Sequence, residues 1–311
     1  MRIVFLGSGD FAVPSLQALV DAGHEVAAVV TQPDRAKGRG QALSPPPTKP
    51  VAAARGLSVL QFPRVRDPDA REALLSLRPE LQVVVAFGQI LPRAVIDIAP
   101  LGTVNVHASL LPLFRGAAPI QWAIATGQTE TGVTTMLIDE GLDTGPTLLR
   151  RPLPIRPEET AAELAPRLAA LGASLLLETI EGLASGRLVP QPQDHARATL
   201  APMLKKEDGR VDWTRAATTI ANRARGFLPW PGSFTFHQGA LVKLLRVAPL
   251  DMLAHAGATP GEVLSVRPEV WVACGSGDGL RLLLVQPESR RPMPSSAWAA
   301  GARLVPGDRL D

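Results

Sequence analysis

The chain has no tyrosine, one cysteine and few aromatics of any kind. A lone thiol, Cys274, cannot close an intramolecular disulfide or supply the paired thiolates of a structural zinc site, so neither redox chemistry nor a bound metal is expected. No apolar run approaches the ~20 residues of a membrane-spanning helix. The first ten residues carry one arginine and a short apolar run reaching Gly7, without the small-residue tail of a secretory leader, so a soluble, cytoplasmic protein is expected. What is present is 311 residues, 46% hydrophobic and 20% charged, enough to bury two cores. That excludes collagen-like, disordered and disulfide-stapled miniproteins.

The net charge of +3 is unevenly spread. Between Arg35 and Arg66 lie seven basic side chains (Arg35, Lys37, Arg39, Lys49, Arg55, Arg64, Arg66) and no acid. From Lys205 onward fourteen Lys and Arg face ten Asp and Glu, so this part carries +4 and the preceding 204 residues −1. A solvated surface accounts for either patch alone, whereas two basic regions in separate parts of one chain favour a polyanionic partner.

Short apolar runs alternate with helical periodicity through the first 185 residues. The runs Ile3 to Leu6, Val26 to Val30, Val83 to Phe87, Val104 to Val106 and Val133 to Ile138 read as buried strands. Pro14 to Ala22, Pro119 to Ala125 and Ala161 to Leu183 read as helices, the last with Leu164, Leu168, Leu171 and Leu175 at helical spacing. The pattern predicts an α/β domain, a Rossmann-like parallel sheet with helices on both faces, over residues 1–187. Its chemistry is expected where Val83 to Phe87, Val104 to His107 and Val133 to Ile138 close, because ligands bind beyond the carboxyl ends of such strands. Residues 188–204, with Pro190, Pro192 and Pro202 and no sustained periodicity, read as a linker. Over 205–311 the pattern turns β-like, with strands at Ser233 to Phe236, Leu241 to Val247, Glu262 to Val266, Val270 to Ala273 and Leu280 to Val285, and predicts a small OB-like β-barrel.

Gly7, Ser8 and Gly9 follow the first strand, where backbone amides can receive an anion. Thr31, Gln32 and Pro33 stand where a ribose-binding acid is usually found, which argues against a nicotinamide cofactor. Asn105 and His107, two apart on one strand, project to the same side. A polar pair closing an apolar strand is costly to bury, so a reactive site competes with a hydrogen-bonded core Asn and His. A loop cap is the default reading of Asp139 and Glu140, while Asp143, before a Thr-Gly turn, is placed to reach back toward the sheet. Ser109, the hydroxyl close by, lacks the flanking glycines of a nucleophile elbow, which points to direct transfer between two bound substrates.

These residues resemble the signature of the folate-dependent formyltransferases: Asn105-x-His107, then Ser109, Leu110, Leu111, Pro112, and a distant Gly141-Leu142-Asp143-Thr144-Gly145 turn. Further stretches are similar to the branch of that family that acts on methionyl initiator tRNA: Thr31 to Gly40 (TQPDRAKGRG), Ala86 to Pro92 (AFGQILP), Phe114 to Gln121 (FRGAAPIQ), Trp213, and Phe227 to Pro231 (FLPWP). The resemblance implies that Asn105, His107 and Asp143 are catalytic and that 10-formyltetrahydrofolate is the co-substrate, with no metal. Asn105 and a protonated His107 would stabilise the oxyanion, and Asp143 would help relay the proton shed by the amine. The folate would lie against Phe87, Gly88, Gln89, Ile90 and Leu91, the Ser109 to Pro112 segment, and Asp139. Asp34 to Lys49 resembles the family's insertion into the tRNA acceptor stem, with Arg39 at its key arginine and Arg35, Lys37 and Lys49 beside it. Gln41 and Ala42 replace lysines that often follow that arginine, which lowers the loop's charge. The barrel adds Lys205, Lys206, Arg210 and Lys243 as phosphate contacts. Phe87 and Leu200 stand where the family tends to have tyrosine. A monomer acting on tRNA, away from membranes, is implied.

Two rivals remain. A related formyltransferase acting on a nucleotide-sugar amine would share the trio but has no use for a basic insertion between Arg35 and Arg66. A non-catalytic RNA-binding protein would leave Asn105, His107 and Asp143 as unexplained buried polar groups.

Overall fold

Strand and helix alternate from the first residues, as the apolar runs require. The computed structural model describes residues 1–37, 42–250, 257–275 and 277–311. In order come β1 (Arg2–Gly7), α1 (Val13–Asp21), β2 (Glu25–Thr31), the short pair β3 (Arg35–Lys37) and β4 (Ala42–Ser44), α2 (Thr48–Ala54), β5 (Val59–Gln61) and α3 (Pro68–Ser76). They are followed by β6 (Leu81–Val85), α4 (Arg93–Ile96), β7 (Thr103–His107), α5 (Pro119–Ala125), β8 (Glu130–Leu137), β9 (Thr147–Pro154) and α6 (Ala161–Ala184). The chain then builds α7 (Ala217–Gly226), β10 (Ser233–His237), β11 (Ala240–Leu250), β12 (Val263–Ser265), β13 (Val270–Ala273), β14 (Gly279–Pro287), β15 (Met293–Pro294) and α8 (Ser295–Ala302).

Two compact units result: Met1–Pro119, Thr131–Pro154 and Ala165–Ala201 form one, and Ile120–Glu130, Ile155–Leu164 and Pro202–Asp311 the other. The first holds a seven-stranded sheet of order β5-β2-β1-β6-β7-β8-β9. The five strands from β5 to β7 are parallel, and β1 and β6 are apolar and buried along almost their whole length, as strands covered on both faces must be. The order reverses between β1 and β6, which opens a crevice at their carboxyl ends. On one side α6 comes close to the sheet. A Cβ on Gly172 would lie 2.9 Å from Val106 Cγ1 and 3.6 Å from Val133 Cγ1, so only glycine permits this approach.

Two expectations need correction here. The run Val83 to Phe87 is not one strand: β6 ends at Val85 and Ala86 turns into the left-handed region (φ 45°). Its carbonyl accepts from the amides of Ser8 and Gly9 at 3.3 Å each, so two strand ends are stitched together where the apolar pattern shows only continuity. The sheet is also not parallel throughout, because β8 runs antiparallel to β7.

In the second unit the sheet order is β10-β11-β14-β13-β12, with β15 paired to β14. Bulges around Leu244, Arg246 and Val247 bend β11, which increases local twist. The segment Gly307–Asp311 joins the two edges. Phe236 and Asp311 exchange backbone bonds at 3.1 and 3.0 Å, while Val263 and Leu310 donate to Asp308 and Gly261 at 2.8 and 2.9 Å. The barrel expected from the sequence is thereby closed. Trp213, buried in its core, donates from Nε1 to Thr235 Oγ1 at 3.1 Å, so its one polar atom is satisfied. Residues Ile120–Glu130 belong here because Arg223 on α7 stacks over Trp122 and Phe227, 5.7 and 4.8 Å from the ring centres.

Cys274 is buried in this barrel core, and burial pushes its thiol up to about 12. The native protein should resist iodoacetamide at pH 8 and become labelled only on denaturation, and Cys274→Ser should leave activity intact. Because the unfolded thiol ionises near its ordinary value of 9.0 while the folded one does not, stability should fall as pH rises above 9. Rapid labelling of the native protein would contradict this placement.

Candidate active site

β7 carries the polar pair. Its neighbours Val104 and Val106 are buried, Asn105 is half-buried and His107 is 6% exposed. The segment after the strand is wound tightly. Ser109 Oγ donates to the Leu113 carbonyl at 2.5 Å, and Thr134 Oγ1 donates to the Ser109 carbonyl (2.7 Å) while accepting from the Leu111 amide (3.1 Å). Phe114 then adopts φ 58°, and its carbonyl lies 2.9 Å from His107 Nε2. A carbonyl only accepts, so Nε2 carries the hydrogen and Nδ1 is left as the other face of the ring.

That face meets Asp143, whose Oδ2 lies 3.6 Å from Nδ1. The direction of β8 makes this approach indirect. His107 pairs with Thr134, whereas Leu137, where the loop begins, pairs with Val104. The carboxyl end of β8 therefore lies at the opposite end of β7 from His107, contrary to the expectation that all three strands close on one side. The loop doubles back instead. Asp139 Oδ1 caps it by accepting from Gly141 N (3.1 Å) and Thr144 Oγ1 (2.7 Å), and Asp143 takes φ 52°. Its Oδ2 accepts from Gly116 N at 2.7 Å. Imidazole and carboxylate are thus each anchored to the segment 114–116.

A carboxylate beside the second nitrogen of a histidine whose first is locked, next to a half-buried amide, has the chemistry to exchange a proton beside a hydrogen-bond donor. The comparisons give the class. The family model described as formyl transferase matches residues 1–180, and that described as formyl transferase, C-terminal domain, matches residues 203–303. The chain belongs to the formyl transferase family. It is 53% identical over 310 residues to the methionyl-tRNA formyltransferase of Solibacter usitatus (strain Ellin6076), covering 100% of this chain and 98% of that one. To the methionyl-tRNA formyltransferase of Geobacter sulfurreducens it is 50% identical over 311 residues, covering 100% and 96%. Solved structures share the fold. HypX from Aquifex aeolicus in complex with tetrahydrofolic acid matches with a TM-score of 0.62 at 21% identity, over 96% of this chain and 47% of that one. The N-formyltransferase from Helicobacter canadensis in complex with folinic acid and dTDP-3-aminofucose matches with a TM-score of 0.69 at 16% identity, over 92% and 98%.

The other residues of this formyl transferase singled out by sequence divide into groups. Phe87 and Leu91 pack into the core beside β1 and β6, and Ile90 between Gln89 and Leu91 is 91% exposed. Gly88 takes φ 79°. Gln89 is turned inward, accepting from Val65 N (2.7 Å) and donating to the Phe62 carbonyl (3.0 Å). Ser109 and Leu111 are buried, and Leu110 packs toward Gly132. Arg35 is exposed and donates to Gln32 Oε1 at 3.1 Å; Lys37 lies on β3. Arg39 and Gln41 lie outside the described residues. Lys49 is held at 2.9 Å from both Asp34 oxygens and from Gln61 Oε1, which makes it a pin at the base of the β3–β4 hairpin. In the barrel, Lys205 and Lys206 are exposed, and Arg210 and Lys243 both pair with Phe234, flanking one position of β10.

Sequence reasoning passed over three side chains. Gln32 accepts from Arg35 and donates to the Phe87 carbonyl at 3.2 Å, joining the hairpin to the loop after β6. Thr199 Oγ1 accepts from Phe114 N at 2.8 Å, and Gln193 donates into the Asp143 loop. All three act across long sequence separations, and no local signal marks them.

The loop that carries Asp143 depends on Gly145, where a Cβ would run into the Leu137 carbonyl. Gly145→Ala should therefore cost about 1–3 kcal/mol through overpacking and, by displacing the carboxylate, lower turnover by roughly 100-fold. Denaturant unfolding and steady-state kinetics would measure the two effects. A fully active Gly145→Ala protein would show that the turn is not what holds Asp143.

Proposed function

We propose that this protein transfers the formyl group of 10-formyltetrahydrofolate to the α-amino group of methionyl initiator tRNA, giving the N-formylated aminoacyl-tRNA used to start translation. The observation that carries the reading is the His107–Asp143 approach at 3.6 Å beside Asn105, in a chain about half identical along its full length to methionyl-tRNA formyltransferases. The same full-length similarity favours this acceptor over a nucleotide-sugar amine, since the sugar N-formyltransferase structures are similar at 16% identity, a likeness of fold.

We assign the chemistry to the chain's own groups as follows. The amine lone pair forms a bond to the formyl carbon and the carbonyl pair moves onto oxygen, where the Asn105 amide donates to it. Because His107 Nε2–H is committed to the Phe114 carbonyl, Nδ1 takes the proton shed by the amine. Asp143, facing Nδ1, offsets the charge the ring gains. Collapse restores the carbonyl, breaks the bond to the folate nitrogen and delivers the proton there, leaving tetrahydrofolate and the formylated amine. Among the described residues no cluster of three His, Cys, Asp or Glu is placed to hold a metal ion, and the steps above use none.

Exposed residues of the loop after β6, Ile90 above all, would lie against the folate, with Ser109 to Pro112 and Asp139 shaping the site from behind. Acceptor contacts are assigned to Arg35 and Lys37, to Arg39, which lies outside the described residues, and to Lys205, Lys206, Arg210 and Lys243, whose positive charge suits phosphate. Lys49 would act through the hairpin's shape. No helix among the described residues is long and apolar enough to cross a membrane, and we assign the work to a monomer in the cytoplasm.

The deciding assay follows labelled formyl from 10-formyltetrahydrofolate onto methionyl initiator tRNA beside free methionine. Transfer to the tRNA is expected and none to the amino acid; the reverse would sink the reading. His107→Ala should lower kcat on the order of 10²- to 10⁴-fold with little change in tRNA binding. Arg39→Ala should instead raise KM for the tRNA, and activity at low tRNA should drop as salt rises from about 50 to about 200 mM. An enzyme indifferent to both would rule out phosphate contacts by this hairpin.

A further inference from the structure

Arg115 is a buried cation that meets no carboxylate among the described residues. Its Nε and Nη2 donate to Gln193 Oε1 at 3.1 and 2.7 Å, and its Nη atoms lie 3.3 Å from His195 Nδ1. Gln193 is buried as well, and its Nε2 donates to the carbonyls of Asp143 (2.8 Å) and Gly145 (2.7 Å). Asp143 Oδ2 in turn accepts from Gly116, the residue after Arg115. The bonds close a ring from the Arg115 guanidinium through Gln193 and Asp143 to Gly116 and back along the chain.

Burying a charge against neutral acceptors is unfavourable, and an apolar side chain would fill the same space at less cost. What the ring supplies is position. Asp143 is gripped at its carbonyl by Gln193 and at its carboxylate by Gly116, with its backbone at φ 52°, a conformation a non-glycine residue keeps only when its surroundings enforce it. Phe114, on the other side of Arg115, holds the opposite nitrogen of His107. The residue type at 193 follows from the same geometry. The arginine needs an acceptor and the two loop carbonyls need donors, and an amide offers both, whereas an ionised carboxylate offers acceptors alone.

We propose that Arg115 and Gln193 are positioning residues for formyl transfer, holding the Asp143 carboxylate at a fixed place before His107 Nδ1. The inference rests on the catalytic roles given above to His107 and Asp143. Neither Arg115 nor Gln193 touches the reacting atoms.

Gln193→Glu separates positioning from folding. It keeps, and charges, the acceptor for Arg115, which offsets part of the cost of the two lost bonds so that the protein should still fold, but it turns a carboxylate toward the two carbonyls. The kcat should fall about 10- to 100-fold, with KM for folate and for tRNA within about twofold. In an Asp143→Asn background the same change should add no further loss, because residues acting as one unit are non-additive. Independently of turnover, the ¹⁵N signals of the His107 ring should move in Gln193→Glu in the direction they move in Asp143→Asn, with those of His237 unchanged. Should Gln193→Glu not fold, Arg115→Lys, which retains one donor, should be partly active and Arg115→Met much less so. Parental kcat, or an unmoved His107 ring, in Gln193→Glu overturns the proposal. A parent that transfers no formyl counts against the proposed function, and the ring signals then decide the positioning.

Discussion

The hydrogen bond from the His107 ring to the Phe114 carbonyl decides which nitrogen of the imidazole is left for chemistry. Everything nearby is built around that choice. A short central strand of five residues delivers the ring, a tight turn through Ser109 and Leu113 brings the chain back, and a left-handed Phe114 aims its carbonyl. With Nε2 occupied, Nδ1 is the ring nitrogen left open, and Asp143 faces it. A buried histidine in a sheet of valines is tolerable because its burial is offset by a bond fixed before any substrate arrives.

The segment after α6 is a structural member of this site. Thr147 and Gln191 exchange backbone bonds at 2.8 Å in both directions. Further on, Arg115 donates to the Thr199 carbonyl at 2.9 Å and accepts from Ala201 at 2.7 Å, and Ala118 donates to the Ala201 carbonyl at 3.1 Å. One extended strap therefore bonds at one end to the start of β9, just past the Asp143 loop, and at the other to the turn that carries Phe114. Its prolines and lack of periodicity suit a chain that bonds to its neighbours rather than building a long strand or helix, with only the 3-10 turn His195–Arg197 between its two bonded ends.

That strap marks where a sequence stops being readable. Asn105, His107 and Asp143 could be picked out because polar residues at the end of an apolar strand and before a Thr-Gly turn violate local expectation. Five strands of the seven-stranded sheet were legible as apolar runs, whereas β5 and β9, where polar and charged residues interrupt the apolar ones, were not, and the direction of the strands was not legible at all. Nothing in the composition of Val133 to Ile138 tells a parallel strand from an antiparallel one, and that direction decides at which end of β7 the following loop starts. The end of β6 was missed for a similar reason, since Ala86 is apolar whether it extends a strand or turns out of it. In the barrel the strands could be read, while closure by Gly307–Asp311 depends on backbone bonds that carry no side-chain signature. The pairing of Arg115 with Gln193 carried no local signal, because the two lie 78 positions apart.

Charge is the remaining case in which counting along the chain misleads, and here the correction has a direction. Seven basic residues between Arg35 and Arg66 suggest one continuous positive field. Lys49, however, is bound to Asp34, and Arg55 pairs with Asp21 at 2.6 Å, so two of those charges are offset by acids that lie before the run in sequence. Hydrogen bonds from Lys49 and Gln61 hold the Asp34 carboxyl below the usual carboxylate range. It stays ionised through neutral and mildly acidic pH, and the pair is kept until the solution is more acidic than an ordinary carboxylate would tolerate. Among the described residues, exposed Arg35 on β3 and exposed Arg64 and Arg66 have no carboxylate partner. A field concentrated in this way meets a polyanion at a defined place, because screening over about 8–10 Å leaves distant charges little say.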